Sequence, residues 1–93
     1  MGFVRKHLWI SGRVQGVYYR YSTQQIALHI GQLTGWVGNR RDGRVEAVVE
    51  GPSAKVEQLI SWCYEGSSQA KVTHIEIQEE LYTGEFQDFD IAY

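Results

Sequence analysis

Two side chains in this 93-residue sequence, Arg20 and Asn39, stand in settings that suggest chemistry. Arg20 closes the run Gly12-Arg13-Val14-Gln15-Gly16-Val17-Tyr18-Tyr19-Arg20. Glycines at both ends of such a loop let consecutive backbone N–H groups turn toward one point, and a helix starting just beyond adds the positive end of its dipole. That arrangement receives an anion. The guanidinium offers a planar fork of donors, which fits a pair of phosphate oxygens better than the point charge of a lysine. The run therefore reads as a phosphate cradle with Arg20 as its charged wall. Val14 and Val17 anchor the loop in the core, and Gln15 braces it by hydrogen bonds. A tight turn is the competing reading of Gly12 and Gly16, and a surface ion pair that of Arg20. Asn39 precedes the turn Arg40-Arg41-Asp42-Gly43. Its carboxamide is too weak a base to remove a proton, but it accepts through oxygen and donates through nitrogen, and so can orient a water. Read alone, Asn39 is a turn residue.

The elements that must hold these groups follow from periodicity and punctuation. Arg5–Ser11 reads as a strand with Leu8 and Ile10 on one face and His7 and Trp9 on the other. Ser22-Thr23-Gln24-Gln25 has capping-box spacing, which predicts a helix over 22–30. Its stripe is Thr23, Ile26, Ala27 and Ile30. Gly31 suits the position after the helix end. Leu33–Asn39 and Arg44–Glu50 read as strands joined at Asp42-Gly43, a strong hairpin signal. Val45, Ala47 and Val49 alternate with Glu46, Val48 and Glu50, a half-buried pattern. A second helix starts at Gly51-Pro52-Ser53, with Pro52 at the first helical position, and buries Val56, Leu59, Ile60 and Cys63. Val72–Leu81 is a strand, Tyr82-Thr83-Gly84 a turn, and Phe86–Ala92 a short last strand. The order is βαββαβ with a short extra strand. Right-handed crossovers put both helices on one face. The expected class is α+β, a ferredoxin-like sandwich with an antiparallel sheet, two helices on one face and an open opposite face carrying aromatics such as Trp9.

These residues carry a family resemblance. The chain resembles the acylphosphatases, whose signature Gly-x-Val-Gln-Gly-Val-x-Phe-Arg is met from Gly12 to Arg20 with Tyr19 in the Phe place. A second signature is met by Gly35, Trp36, Val37, Gly38, Asn39, Gly43, Val45 and Gly51. The resemblance covers essentially the whole chain. It implies hydrolysis of acyl phosphates to a carboxylate and inorganic phosphate, with Arg20 and Asn39 catalytic and Gln15, Gly16, Val17, Tyr18 and Tyr19 binding the substrate. It implies no cofactor and no metal. Three departures stand out. Tyr19 brings a hydroxyl that needs a partner. Gly38 replaces a longer side chain. One extra residue lies between Arg20 and Asn39, placed in the helix-to-strand loop around Gly31-Gln32-Leu33.

Composition bounds the rest. A chain of 93 residues is expected to form one domain, residues 1–93, burying about 60–65% of its unfolded surface. Net charge is −2, so no global basic field points to nucleic acid. The single cysteine excludes an internal disulfide and a Cys-based metal cluster; Cys63 reads as a small core residue. No signal-peptide pattern and no membrane-length apolar run occurs. The expectation is a cytoplasmic monomer acting on a small molecule, without nucleic acid or membrane. Arg40, Arg41 and Arg44 are either solvated or draw anions toward the hairpin. His7, His29 and His74 have no metal spacing and read as structural or surface. Glu79-Glu80 and Asp88/Asp90 read as solvated. Two other classes fit the topology. An RNA-binding sheet would need aromatics in a Lys/Arg-Gly-Phe/Tyr-type motif, and 45–50 is instead acidic and aliphatic. An anion-binding module without turnover, or one part of a carbamoyl-transfer enzyme, is the other. The absence of a zinc-finger segment favours a free-standing enzyme.

Overall fold

The computed structural model describes residues 2–92. The elements run β1 (Phe3–Arg13), α1 (Tyr19–Ile30), β2 (Thr34–Asn39), β3 (Val45–Pro52), α2 (Ser53–Glu65), β4 (Lys71–Glu80) and β5 (Phe89–Ala92). The strands form one sheet in the order β4-β1-β3-β2-β5. The first four pair antiparallel. β5 adds to β2 in parallel, so the expected antiparallel sheet is mixed at one edge. Both helices cover one face, α1 against β2 and β5 and α2 against β3, β4 and β1. This is the ferredoxin-like α+β sandwich.

The core follows the period of each element. Leu8, Ile10, Val37, Val45, Ala47, Val49 and Ile75 meet Ala27, Val56, Leu59, Ile60 and Cys63 from the helices, all buried. Ile26 and Ile30 complete the α1 stripe as half-buried neighbours. Gly35 is the one β2 position that excludes any side chain: an added Cβ would lie 1.9 Å from the Val48 carbonyl oxygen, with φ at +136°. Pro52 ends β3 and precedes the first residue of α2. The expected placement of Pro52 inside the helix is thus off by one.

α1 begins at Tyr19, three residues before the expected start. The capping box is not formed. Tyr18 stands at the cap in the left-handed conformation, and no side chain caps the helix. The Ser22 N–H is already inside, donating to the Tyr18 carbonyl at 3.0 Å. The Thr23 hydroxyl donates back to the Tyr19 carbonyl at 2.7 Å.

The open face is not uniformly open. Val48 and Glu50, expected to be half-exposed, are 1% and 0% accessible. Residues 81–88 form no strand and cross over this face as a strap. The buried Glu50 carboxylate holds the strap. It accepts from the Thr83 N–H (2.9 Å), the Thr83 hydroxyl (3.0 Å), the Gly84 N–H (3.1 Å) and Arg5 Nη1 (3.2 Å). Glu80 is not simply solvated either. It accepts from Arg5 Nε at 2.8 Å and lies 2.7 Å from His7 Nδ1, while Glu46 lies 2.6 Å from His7 Nε2. His7 stacks on Trp9 with ring centroids 3.9 Å apart. His7 is structural, as its isolation from metal spacing suggested.

This network predicts acid sensitivity. Burial pushes the Glu50 carboxyl up, but the donors from Thr83, Arg5 and Gly84 outweigh it and hold the group below the usual carboxylate range. A carboxyl depressed in the folded state stabilises fully above its unfolded pKa, and that contribution is lost as pH falls through the folded value. Urea midpoints are therefore expected to be flat near neutrality and to fall below about pH 4.5. Glu50→Gln is expected to lower stability at pH 7 by about 1–3 kcal/mol and to flatten the acid limb. Equal acid limbs in both proteins would contradict this account.

Candidate active site

The 12–20 loop leaves β1 at a register shift between Ser11 and Gly12. Gly12 is required there, because a Cβ would lie 2.1 Å from the Lys71 carbonyl oxygen. Val14 and Val17 are buried at 1% and 3% exposure and anchor the loop as expected. Between and after them φ changes sign: it is +74° at Gly16 and +62° at Tyr18, with Val17 on the ordinary side. Alternation of this kind turns successive N–H groups toward one concave side. The Val17 carbonyl is engaged elsewhere, accepting from the Ser67 hydroxyl at 2.6 Å. Beyond Tyr18 the first N–H groups of α1 have no side-chain cap, and no acidic residue stands in the first turn. Uncapped amides with the dipole behind them suit an anion.

A hollow of about 460 Å³ is lined by Val14, Gly16, Tyr18, Tyr19, Arg20, Tyr21 and Ile91. It brings together most of the expected binding residues. Gly16 and Tyr19 offer only main chain to it. The Tyr19 ring is buried at 1% exposure, and its hydroxyl donates to the Cys63 carbonyl at 2.7 Å. That bond is the partner the extra hydroxyl needed. Burial pushes the Tyr19 phenol up and the Cys63 thiol up to about 12, so Cys63 is an inert core residue. Gln15 donates from Nε2 to the carbonyls of Arg40 (2.8 Å) and Arg44 (3.0 Å). It braces the loop against the β2–β3 hairpin, and its side chain is committed there.

Asn39 does not line that hollow. It is exposed at the end of β2, paired with Val45, and lines a second groove of about 520 Å³ with Trp36, Gly38, Glu46, Phe86, Asp90 and Ala92. The two hollows share no lining residue: on β5, Ile91 lines one while its neighbours Asp90 and Ala92 line the other, as side chains alternate between the faces of a strand. Gln15 ties the loop to the chain beside Asn39, since Arg40, whose carbonyl it binds, directly follows Asn39. Gly38 is held on both sides at this end. Its backbone pairs with Glu46 and Ala92 on either side, and a Cβ would lie 3.0 Å from the Ala92 carbonyl oxygen. The missing side chain lets β5 come close.

The basic hairpin is partly self-neutralised. Asp42 accepts from Arg44 Nη2 at 2.8 Å and Arg40 Nε at 3.2 Å, and Arg40 Nη1 donates to Glu46 at 2.9 Å. Hydrogen bonds from Arg44 hold the Asp42 carboxyl well below the usual range. Sequence reasoning missed Tyr21 and Ile91 as walls and Ser67 as a clamp. Ser67 lies fifty residues from Val17, and it directly follows Gly66, the residue that ends α2. Among the described residues, no helix is long and apolar enough to cross a membrane.

A small α+β sandwich with a glycine-containing strand–loop–helix turn at one end defines the structural class. The chain is similar to known proteins of that class along nearly its whole length. The acylphosphatase family model matches residues 6–91. An acylphosphatase of Syntrophobacter fumaroxidans is 51% identical over 96% of this chain and 91% of its own. That of Pelotomaculum thermopropionicum is 46% identical over the full length of both. The crystal structure of acylphosphatase from Bacillus subtilis superposes with a TM-score of 0.92 at 38% identity, covering 97% of this chain and 99% of that one. The chain belongs to the acylphosphatase family.

Proposed function

We propose that the chain hydrolyses acyl phosphates with the phosphate held by the 12–20 loop and Arg20 and the attacking water oriented by Asn39. Cleavage of carboxyl–phosphate anhydrides is the enzymatic activity its family membership carries. The observation that supports this division of roles is the pair of hydrogen bonds from Gln15 to the Arg40 and Arg44 carbonyls, which ties the loop to the strand end that carries Asn39. Arg20 lines one hollow with Gly16, Tyr18 and Tyr19, and Asn39 lines a second.

The phosphoryl oxygens sit against the backbone N–H groups of Gly16, Val17, Tyr18 and Tyr19. Gln15 holds the loop to the hairpin, so Asn39 and the cradle keep a fixed relation. Phosphoryl transfer asks chiefly for positioning and for stabilisation of charge on the equatorial oxygens. Pre-aligned amides and a guanidinium supply both without reorganisation. Water approaches from the Asn39 side. Its oxygen bonds to phosphorus while the phosphorus–acyl oxygen bond breaks, and the electron pair leaves on the carboxylate. A carboxylate is a good leaving group, so no general acid is needed. One water proton stays on the new phosphate oxygen and the other passes to a phosphate oxygen. The scheme assigns no step to a metal.

Residues 1–93 act in this reading as one monomeric domain in the cytoplasm, on a small-molecule substrate, apart from nucleic acid and membrane. Benzoyl phosphate hydrolysis with and without EDTA tests it. The expected result is the same turnover in both. No phosphate release, or release abolished by the chelator, would overturn it.

A further inference from the structure

The hollow that holds Arg20 has walls the phosphate does not need. Tyr18 and Tyr21 stand at its mouth with 78% and 57% of their surface exposed. Ile91 from β5 and Val14 continue the apolar wall. Neither ring is a core residue, so packing does not account for them. Tyr18 also occupies a left-handed position, φ +62° and ψ +23°. Glycine or asparagine takes that conformation with less strain. A bulky residue there is a local outlier of the kind that accompanies function.

Geometry gives the rings a direction. Gln15 ties the near end of the loop to the carbonyls of Arg40 and Arg44, beside Asn39. The far end of the loop is the start of α1, where the tyrosines stand. In-line displacement puts the leaving oxygen opposite the attacking water. With water on the Asn39 side, the acyl group leaves the cradle toward the helix start. We infer that Tyr18 and Tyr21, with Ile91 behind them, form an acyl-group subsite that selects aromatic and extended apolar acyl phosphates over short ones. This rests on the proposed function, and it gives discrimination to a cradle that by itself grips only phosphate. The rings supply rigid apolar area, and aromatic acyl groups add ring–ring contact.

The test is the ratio of kcat/KM for benzoyl phosphate to that for acetyl phosphate, measured on one sample so that the active fraction cancels. Tyr18→Asn removes a ring while keeping a residue that tolerates the left-handed backbone, and Tyr21→Ala removes the other. Wild type is expected to favour benzoyl phosphate. The double variant is expected to lose about tenfold of that preference, equivalent to about 1.4 kcal/mol, with each single variant losing part. A double variant whose ratio stays within twofold of wild type, or a wild type without preference, overturns the subsite and leaves the hydrolytic reading standing. Hydrolysis of neither substrate by wild type overturns both.

Discussion

Arg20→Ala is expected to lower kcat/KM for benzoyl phosphate by about 10³-fold or more, the scale on which an arginine serves phosphoryl transfer. Inorganic phosphate should also cease to inhibit at concentrations that halve the wild-type rate. Both follow from placing one cation against the equatorial oxygens. The ground-state dianion and the transition state share those oxygens, so binding and turnover fall together. Arg20→Lys separates charge from shape. It keeps a cation but not the planar fork, and is expected to recover phosphate inhibition in part while leaving kcat well below wild type. Arg20 is only half-buried, so neither substitution should move the urea midpoint by more than about 1 kcal/mol equivalent. An Arg20→Ala protein that is folded and still inhibited by phosphate would remove Arg20 from the site.

The parts of this site that the sequence made legible are those set by short-range rules. Leu8 and Ile10 alternate against His7 and Trp9, and the structure buries the first pair. Val56, Leu59, Ile60 and Cys63 keep helical spacing, and all four are buried. Val14 and Arg20 come to one hollow because the strand, loop and helix that carry them are contiguous. The start of α1 was misread for a physical reason. Ser22 and Gln25 have the spacing of a cap, but Tyr18 takes a left-handed turn that begins the helix earlier and leaves its first amides uncapped. A capped helix would have used donors that an anion can use instead. Local propensity favoured the cap, and the candidate site is where that preference fails.

Long-range contacts were not legible. Nothing near Val48 or Glu50 announces that residues 81–88 fold over them, because the donors that satisfy Glu50 lie thirty-three residues away and further. Nothing in Ser67 announces the Val17 carbonyl. Ile91 reaches the hollow only because β5 joins β2 in parallel, and parallel addition at an edge leaves no turn signal in the sequence. The basic cluster misleads in the opposite sense. Three arginines in five residues read as an attractive field, yet Asp42 at its centre binds two of them. The field near the hairpin is correspondingly weak, and steering should depend little on it.

Asn39→Ala separates water positioning from phosphate binding. It is expected to lower kcat by about 10²-fold or more, the scale for loss of one transition-state contact, while the inhibition constant for inorganic phosphate stays within about threefold of wild type. The reason lies in the two hollows. The proposed phosphate position is in the one carrying Arg20, and Asn39 borders the other. Removing its carboxamide leaves the amides, the guanidinium and the Gln15 brace in place. The strand end should hold as well, because Asn39 is exposed and its pairing with Val45 is main chain. Asn39→Asp sharpens the point. It preserves size but replaces the N–H₂ donor with a second acceptor and sets a negative charge beside a dianion. It is expected not to restore kcat and to weaken phosphate inhibition by charge repulsion. If alanine costs phosphate affinity and turnover equally, Asn39 is a phosphate ligand. If it costs neither, the water is held by another group, and the groove along Trp36 and Gly38 is not the side from which attack comes.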